Sequence, residues 1–371
     1  MLDFNFTVDV EITNRCNAKC DFCPRDATPH QGLMTEEVFE HSLARTLEFR
    51  EAIQATDPNR VPVKMDDVYG SFSLNGLKMS FCGLGEPLLN KHAAEWVRRA
   101  RQERIDCTMS SNGALLDERR SEALLDAGLQ QMMINAGDLD QDYEDVYGLP
   151  FEKTRDNIVN FARMAKGRCE VGIALVDHHR DPAHIAHMKQ YWEERGVSWF
   201  FTFDVMNRGG ALFVEHMQYA SYPEHKVATE WWNEQNGDAY CILPFIGANI
   251  GYDGNYYLCC SDWKKEASLG HVSDTSMVDI MADKFRHLRS REPVCKTCNH
   301  DPINRMIDGL RAEAEGDANA PSSAALRDEM VELGCNFNRA LERLQPGVTD
   351  VGRDLVGAPG GKRRLIPVTT L

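Results

Sequence analysis

Three closely spaced cysteines limit what this chain can fold into more than any other feature of its sequence. Cys16, Cys20 and Cys23 have the spacing C-x3-C-x2-C. Three thiolates supply three of the four ligands of a cubane iron–sulfur cluster, so one iron keeps an open site that can bind and activate a cofactor. Two other interpretations stay open at this point. A zinc knuckle needs a second ligand pair nearby, which this part of the sequence lacks, and three core thiols need no metal.

Composition narrows the class of protein. The chain has 371 residues, enough for one large or two ordinary domains, and its formal net charge of −16 argues against a nucleic-acid partner. The charge weakly favours a cationic small-molecule substrate. No apolar stretch is long enough to span a membrane, and the N-terminus lacks the pattern of a secretory signal, so a cytoplasmic location is expected. Twelve cysteines in that compartment indicate metal or redox chemistry rather than disulfides.

The first two hundred residues alternate between strand-like and helix-like segments. This alternation predicts parallel β/α units, in which functional loops follow the carboxyl ends of the strands. The cysteine run follows the first predicted strand and therefore lies at that edge. Strands are predicted over 7–12, 77–81, 105–110, 129–135, 169–176 and 197–204, and helices over 35–55, 91–104, 117–127, 151–166 and 182–195.

Three regions are predicted along the chain. A β/α domain covers 1–215, a small cysteine-rich domain covers 216–305, and a helical extension with a tail covers 306–371. Within the first region, the prolines and glycines of 57–76 are typical of an insertion or a lid.

The cysteine spacing resembles the signature of the radical S-adenosylmethionine superfamily. The resemblance implies an α/β fold with a partial (β/α)6 barrel and a [4Fe–4S] cluster whose open iron chelates the amine and carboxylate of S-adenosylmethionine. It implies that one-electron reduction, by a flavodoxin- or ferredoxin-type partner, yields a 5′-deoxyadenosyl radical that abstracts hydrogen from the substrate.

The second strand ends in a motif that resembles the Gly-Gly-Glu-Pro motif of this superfamily. Here the sequence is Gly83-Leu84-Gly85-Glu86-Pro87, in which Leu84 is the departure. Glycines let a backbone approach a ligand closely, and a carboxylate or carbonyl can accept from the methionine ammonium. We therefore expect Gly83, Gly85 and Glu86 to bind the cofactor, a plain turn being the alternative.

Polar residues at the ends of the later strands are further candidates. The segment at 110–113 resembles the Thr-Asn-Gly segment of the family, and an ordinary Asn-Gly turn is its alternative. An arginine at the mouth can form a charge-assisted pair with the methionine carboxylate. An aromatic ring between two cluster cysteines can contact adenine or serve in packing. The residues are Ser111, Asn112, Asn135, Asp177, Arg208 and Phe22.

A second set of four cysteines lies further along the chain. Cys241 and Cys259 form a C-x12-G-x4-C pattern around a hairpin signal, and Cys295 and Cys298 form a C-x2-C pair. Four thiolates can ligate one complete cubane cluster. Zinc is the competitor, but its ligand pairs are usually two to four residues apart, whereas one pair here is separated by seventeen.

This region resembles the auxiliary-cluster domain of the SPASM group, in its shortened twitch form. Full members continue C-x2-C-x5-C-x3-C, whereas here Asn304 and Asp308 stand at the last two positions. The resemblance therefore implies one auxiliary [4Fe–4S] cluster. The wide first gap is similar to that of the 2-deoxy-scyllo-inosamine dehydrogenases, twitch enzymes that oxidise an aminocyclitol.

Two residues beside the second set are candidates for catalysis. Cys260 adjoins Cys259 on a predicted strand, so its side chain is expected on the opposite face. It can donate a hydrogen atom, replace Cys259 as a ligand, or be structural. Asp262, expected on the same side as Cys260, is a candidate proton acceptor, with a solvated surface role as its alternative.

These residues favour an enzyme that oxidises a hydroxyl of an aminocyclitol or aminosugar to a ketone, in antibiotic-type biosynthesis, with the auxiliary cluster as electron acceptor. A radical epimerase that uses Cys260 and a maturase of ribosomal peptides are the alternatives. An electron carrier is disfavoured because it would leave the three-cysteine site and Glu86 without a use.

Overall fold

One nine-stranded sheet organises the computed structural model, which describes residues 6–56, 77–197, 199–234, 241, 243–316, 322, 324–325 and 328. Its strands are β1 (Phe6–Val10), β2 (Leu77–Phe81), β3 (Asp106–Ser111), β4 (Gln131–Asn135), β5 (Glu170–Asp177), β6 (Trp199–Asp204), β7 (Gly247–Ile250), β8 (Asn255–Tyr257) and β9 (Ser268–His271). Their spatial order is β6-β5-β4-β3-β2-β1-β7-β8-β9. Strands β1 to β6 pair in parallel, each with its sequence neighbour.

Helices connect these parallel strands, as the sequence predicts, and four more described helices come after β6. In chain order they are α1 (Glu36–Thr56), α2 (Ala93–Gln102), α3 (Glu118–Asp126), α4 (Asp140–Tyr147), α5 (Phe151–Met164), α6 (Pro182–Glu193), α7 (His225–Glu234), α8 (Met277–Ser290), α9 (Pro293–Thr297) and α10 (Pro302–Glu315). Local chemistry fixes several helix starts: the Thr35 hydroxyl accepts from the backbone N–H of Val38, and the Asp117 carboxylate accepts from that of Arg120. The prediction of an α/β partial barrel followed by a cysteine-rich domain is confirmed.

Within the predicted β/α domain, one of the described helices was not foreseen. Helix α4 begins at Asp140 and buries Tyr143 and Tyr147 on one face, whose rings stack at 4.5 Å. Its signal is short, because only these two aromatic residues, four apart, mark the buried side. It ends at Gly148, which has φ of 64° and caps the helix in the left-handed conformation.

The cysteine-rich region extends the sheet of the barrel. Strand β7 pairs in parallel with β1, and β8 and β9 continue the sheet in antiparallel fashion. The predicted hairpin is therefore present, but its docking on β1 was not foreseen. Gly247 lies opposite Thr7, and a Cβ atom on it would come within 2.4 Å of the Thr7 carbonyl oxygen, so this pairing requires glycine.

Alternate residues of the parallel strands separate the core from the barrel interior. Val8 and Val10 are fully buried on the face that packs against the helices, where the rings of Phe39 and Trp96 stack at 4.6 Å. The opposite face of β1 carries Asp9. The barrel thus has an apolar outer layer and a polar inner surface on this side.

The last described helix packs on α7. Ile303, Met306 and Ile307 form a buried cluster with Tyr219 and Ala228. Because α10 begins at Pro302, the predicted boundary at 305 falls inside a helix. The predicted insertion at 57–76 and the tail lie outside the described residues. Among the described helices, none is long and apolar enough to cross a membrane.

Candidate iron–sulfur and cofactor site

The loop that carries the first three cysteines follows β1 at the carboxyl edge of the sheet. The unpredicted helix α4 holds it in place, because its last carbonyls accept from the loop: Lys19 N–H donates to Tyr147 O at 2.9 Å, and Asp21 N–H donates to Val146 O at 3.1 Å. The guanidinium of Arg25 donates to Ala18 O at 2.5 Å. The loop backbone is therefore fixed from several sides.

The thiols of this loop fit an iron–sulfur cluster. Burial, followed by the charges of Cys23 and Cys16, raises the pKa of Cys20, so the three thiolates need a cationic centre. Cys16 Sγ accepts hydrogen bonds from Ala18 N–H at 3.4 Å and from Asn112 Nδ2 at 3.8 Å, as sulfur ligands of clusters commonly do.

The Gly83–Pro87 segment connects the loop of the first three cysteines to the third strand through hydrogen bonds. The Glu86 carboxylate accepts from Ser111 Oγ at 2.9 Å, Asn112 N–H at 2.7 Å and Leu88 N–H at 3.0 Å. It is 1% exposed, and burial raises its pKa to about 6. These contacts fix the carboxylate against the third strand, and contact of this segment with the methionine ammonium stays a prediction.

The two glycines of the segment serve the same packing. A Cβ atom on Gly85 would come within 2.4 Å of Arg15 O, and one on Gly83, which has φ of 149°, within 2.7 Å of Glu11 Cγ. The close approach that requires glycine here is therefore to the β1–cluster loop.

The other predicted cofactor residues gather around the same mouth. Asn112 Nδ2 donates to Asn17 Oδ1 at 2.9 Å, so the third strand contacts the cysteine loop directly. Asn135 contacts Ser110 Oγ at 3.5 Å in the barrel. Asp177 accepts from Asp181 N–H at 3.0 Å and caps the next turn, and its contact with the cofactor stays a prediction.

An arginine and a phenylalanine flank the cysteine loop. The guanidinium of Arg208 lies 5.4 Å from the centre of the Trp263 ring. Burial raises the pKa of Cys23, and the positive charge of Arg208 acts to lower it. Phe22 packs edge-on against Tyr147 at 5.6 Å and lies 5.5 Å from the ring of His178. Packing is thus shown for Phe22, and contact with adenine stays a prediction.

The second set of cysteines converges from three segments. Cys241 precedes β7, Cys259 follows β8, and Cys295 and Cys298 lie in α9 and at its end. Burial raises the pKa values of both Cys241 and Cys259. The next largest cause is the charge of Cys298 for Cys241, and the charges of Cys260 and then Cys298 for Cys259. These thiols therefore lie in one electrostatic neighbourhood.

The choice between an iron–sulfur cluster and zinc at the second set rests on the spacing of its cysteines in the sequence. Zinc ligand pairs are usually two to four residues apart, whereas Cys241 and Cys259 are separated by seventeen residues. This spacing favours an iron–sulfur cluster.

The positions that would extend the ligand set hold the local structure instead. Asn304 Nδ2 donates to Cys298 O at 2.8 Å and Lys296 O at 3.1 Å, and Asp308 accepts from Tyr219 Oη at 3.2 Å. These contacts give both side chains a structural role, and a single auxiliary cluster stays a prediction.

The predicted strand position of Cys260 and Asp262 is wrong. Strand β8 ends at Tyr257, and both residues follow in a turn, so strand alternation does not apply to them. The Asp262 carboxylate accepts from Glu266 N–H and Ala267 N–H at 2.9 Å each. Asp262 thus holds the ligand loop, whereas Cys260 is exposed, with Asp9 and Arg208 as charged neighbours.

Asp9 is the principal residue that sequence reasoning missed. It lies on the inner face of β1 and accepts from the Cys82 thiol at 3.3 Å. Burial raises its pKa to about 6, although Cys82, Lys78 and Lys284 act in the opposite direction. The sequence signal that could have identified Asp9 is an acidic residue between the buried residues Val8 and Val10 of a central parallel strand.

A buried ion pair joins the two domains, and it too was missed. Lys265 Nζ lies 2.6 Å from Glu11 Oε1, and both side chains are 8% exposed. The other oxygen of Glu11 accepts from Leu84 N–H at 3.0 Å. The pair therefore connects the Gly83–Pro87 segment to the loop that follows Cys259.

Comparisons with known protein families agree with this geometry. The family model of the Radical SAM superfamily matches residues 10–189, and that of the SPASM iron-sulfur cluster-binding domain matches residues 241–299. The chain therefore carries a radical SAM domain followed by a SPASM domain. The first domain uses S-adenosylmethionine and a [4Fe–4S] cluster, and the second provides auxiliary iron–sulfur ligation.

Individual relatives are distant. A probable GTP 3′,8-cyclase of Methanocaldococcus jannaschii is 29% identical over 130 residues, which make up 34% of this chain and 34% of that protein, so the match spans about a third of the relative. Streptococcus suis SuiB, solved with its precursor peptide SuiA, has a TM-score of 0.54 at 12% identity and covers 83% of this chain and 74% of its own. BtrN, solved with AdoMet and 2-DOIA, has a TM-score of 0.49 at 19% identity, with coverages of 79% and 92%. The likeness to SuiB concerns the fold alone.

Proposed function

We propose that this protein oxidises a hydroxyl of an aminocyclitol or aminosugar to a ketone. The observation that carries the proposal is the four-thiol set beside a barrel mouth whose inner face carries Asp9. The bound cofactor and its cluster supply hydrogen-atom abstraction, and the auxiliary cluster supplies a one-electron acceptor. The hydroxyl proton then needs a base, and the C=O bond forms as the carbon loses its hydrogen and one further electron.

Asp9 is the residue best suited to take that proton. It is ionised at neutral pH, because its pKa is about 6, and it faces the barrel interior. Its charge also lies within range of Cys260, the neighbour of ligand Cys259. The proton acceptor and the electron acceptor are thus adjacent.

The inner surface of the barrel suits a small polar ring. On the β1–β4 side it carries Asp9, Ser80, Ser110 and Asn135 at alternating positions, while β6 presents aromatic residues. The rings of Phe201 and Phe203 lie 5.2 Å apart. An apolar wall with a few convergent polar groups is typical of small-molecule sites.

A radical epimerase is the second candidate. The observation in its favour is the exposed thiol of Cys260 near Asp9, because a thiol there can return a hydrogen atom to the opposite face of a substrate.

One incubation distinguishes these functions. The anaerobic holoenzyme is supplied with S-adenosylmethionine, a reductant and aminocyclitol or aminosugar substrates in deuterated water. A ketone two mass units lighter supports the dehydrogenase, and an unchanged skeleton with one carbon-bound deuterium supports the epimerase. A parallel incubation contains a peptide substrate instead. If neither product forms in the first incubation and 5′-deoxyadenosine accumulates in the second, the proposal is wrong and peptide modification replaces it.

A further inference from the structure

The loops after β4 and β5 bring a carboxylate and two imidazoles together, apart from both cysteine sets. Asp138 Oδ2 lies 2.8 Å from His178 Nε2, and Asp138 Oδ1 lies 2.8 Å from His179 Nε2. The three ligand atoms lie within 4.8 Å of one another. A third imidazole, His184 at the start of α6, lies 3.3 Å from Asp138 Oδ1 and contacts Gly137 O at 2.8 Å.

The buried charge of Asp138 needs a partner. Its side chain is 0% exposed, and its ion-pair partners among the described residues are these three histidines. Burying an ionised carboxylate without a cation is costly. The rings of His178 and His179 lie only 3.9 Å apart, so both Nε2 atoms approach the same carboxylate.

A metal ion at this place would neutralise the buried carboxylate and would lie within reach of all three ligand atoms. We propose that Asp138, His178 and His179 bind a divalent transition-metal ion through Asp138 and the two Nε2 atoms. Two imidazoles and one carboxylate on one side of an ion form a recognised ligand set that leaves further positions open. His184 is a positioning residue that holds the 137–138 backbone beside the ion.

The site is coupled to the cluster loop by direct contacts. Gly137 N–H donates to Tyr147 Oη at 2.9 Å, and the carbonyl of Tyr147 accepts from Lys19 in the cysteine loop. The ring of Phe22, between two cluster cysteines, lies 5.5 Å from that of His178. The ion would therefore brace the mouth next to the cofactor loop.

Metal counting on the iron-loaded holoenzyme tests the proposal. The protein is dialysed anaerobically against Zn²⁺ or Co²⁺, freed of excess metal, and analysed for iron and the added metal together. About one added ion per chain is expected in the wild type, and the His179→Gln and Asp138→Asn variants are expected to lose it at unchanged iron content. His187→Gln, on the exposed side of α6, is the matched control and should keep the ion.

His179→Gln carries the test if Asp138→Asn does not fold, because the His179 side chain is 41% exposed. Equal metal content in wild type and His179→Gln would overturn the proposal, as would a wild type that takes up neither ion. In either of these cases Asp138, His178 and His179 form a hydrogen-bonded network without metal.

Discussion

The first cysteine set takes its three thiols from one short segment, residues 16–23, whereas the second set takes four thiols from three segments between 241 and 298. The first set is complete once a strand and a loop have formed. The second requires β7 and β8 to dock beside β1 and α9 to pack under the hairpin. One site is thus defined by local spacing and the other by tertiary structure, so they should fail differently when disturbed.

The largest effect is expected from Cys20→Ala. Loss of one of three ligands should remove about four of about eight irons and abolish cleavage of S-adenosylmethionine. Iron analysis and chromatographic detection of 5′-deoxyadenosine measure both. Cys169→Ala is the control, since Cys169 belongs to neither set. Continued cleavage in Cys20→Ala would show that this loop does not hold the cluster.

Cys298→Ala should separate the two sites. It is expected to lose about four irons and the conversion of substrate, while cleavage of S-adenosylmethionine continues without productive turnover. The ratio of 5′-deoxyadenosine to ketone measures this uncoupling. If the variant retains full conversion, the auxiliary cluster is not the electron acceptor.

A smaller loss is expected from Asp9→Asn. Only the ionised carboxylate accepts a proton, so wild-type turnover should fall below a pH of about 6, where Asp9 becomes protonated, in line with its pKa. The variant should be slower by about 10²-fold and should lack this acidic limb. Asp262→Asn is the control, because it should weaken the ligand loop but keep the limb. If turnover of Asp9→Asn still falls below a pH of about 6, another group accepts the hydroxyl proton.

The sequence predicted what depends on local order. Strand and helix positions followed from hydrophobic alternation, and the three-cysteine loop from its spacing. Glu86 was identified, but its contacts with Ser111 and Asn112 were not, because those residues lie on another strand. Helix α4, and the hydrogen bond by which its Tyr147 carbonyl holds the cysteine loop at Lys19, were missed, because two aromatic residues give too weak a helical periodicity.

Residues that join distant segments were also beyond sequence reasoning. The alternation argument for Cys260 and Asp262 failed because β8 ends at Tyr257, and the pairing of β7 with β1 has no sequence signal of its own. The Glu11–Lys265 contact depends on that pairing.

The smallest expected effect tests how far the auxiliary domain depends on the barrel. In Lys265→Met the carboxylate of Glu11 stays buried without its cation, which should lower the free energy of unfolding by about 3 kcal/mol. Denaturant unfolding of the anaerobic holoenzyme measures the change. The double variant Glu11→Gln with Lys265→Met is the control, because it removes the unpaired charge and should recover most of the loss. A loss equally large in both variants would mean that the contact of the Lys265 ammonium with the Tyr257 ring, rather than the ion pair, joins the two domains.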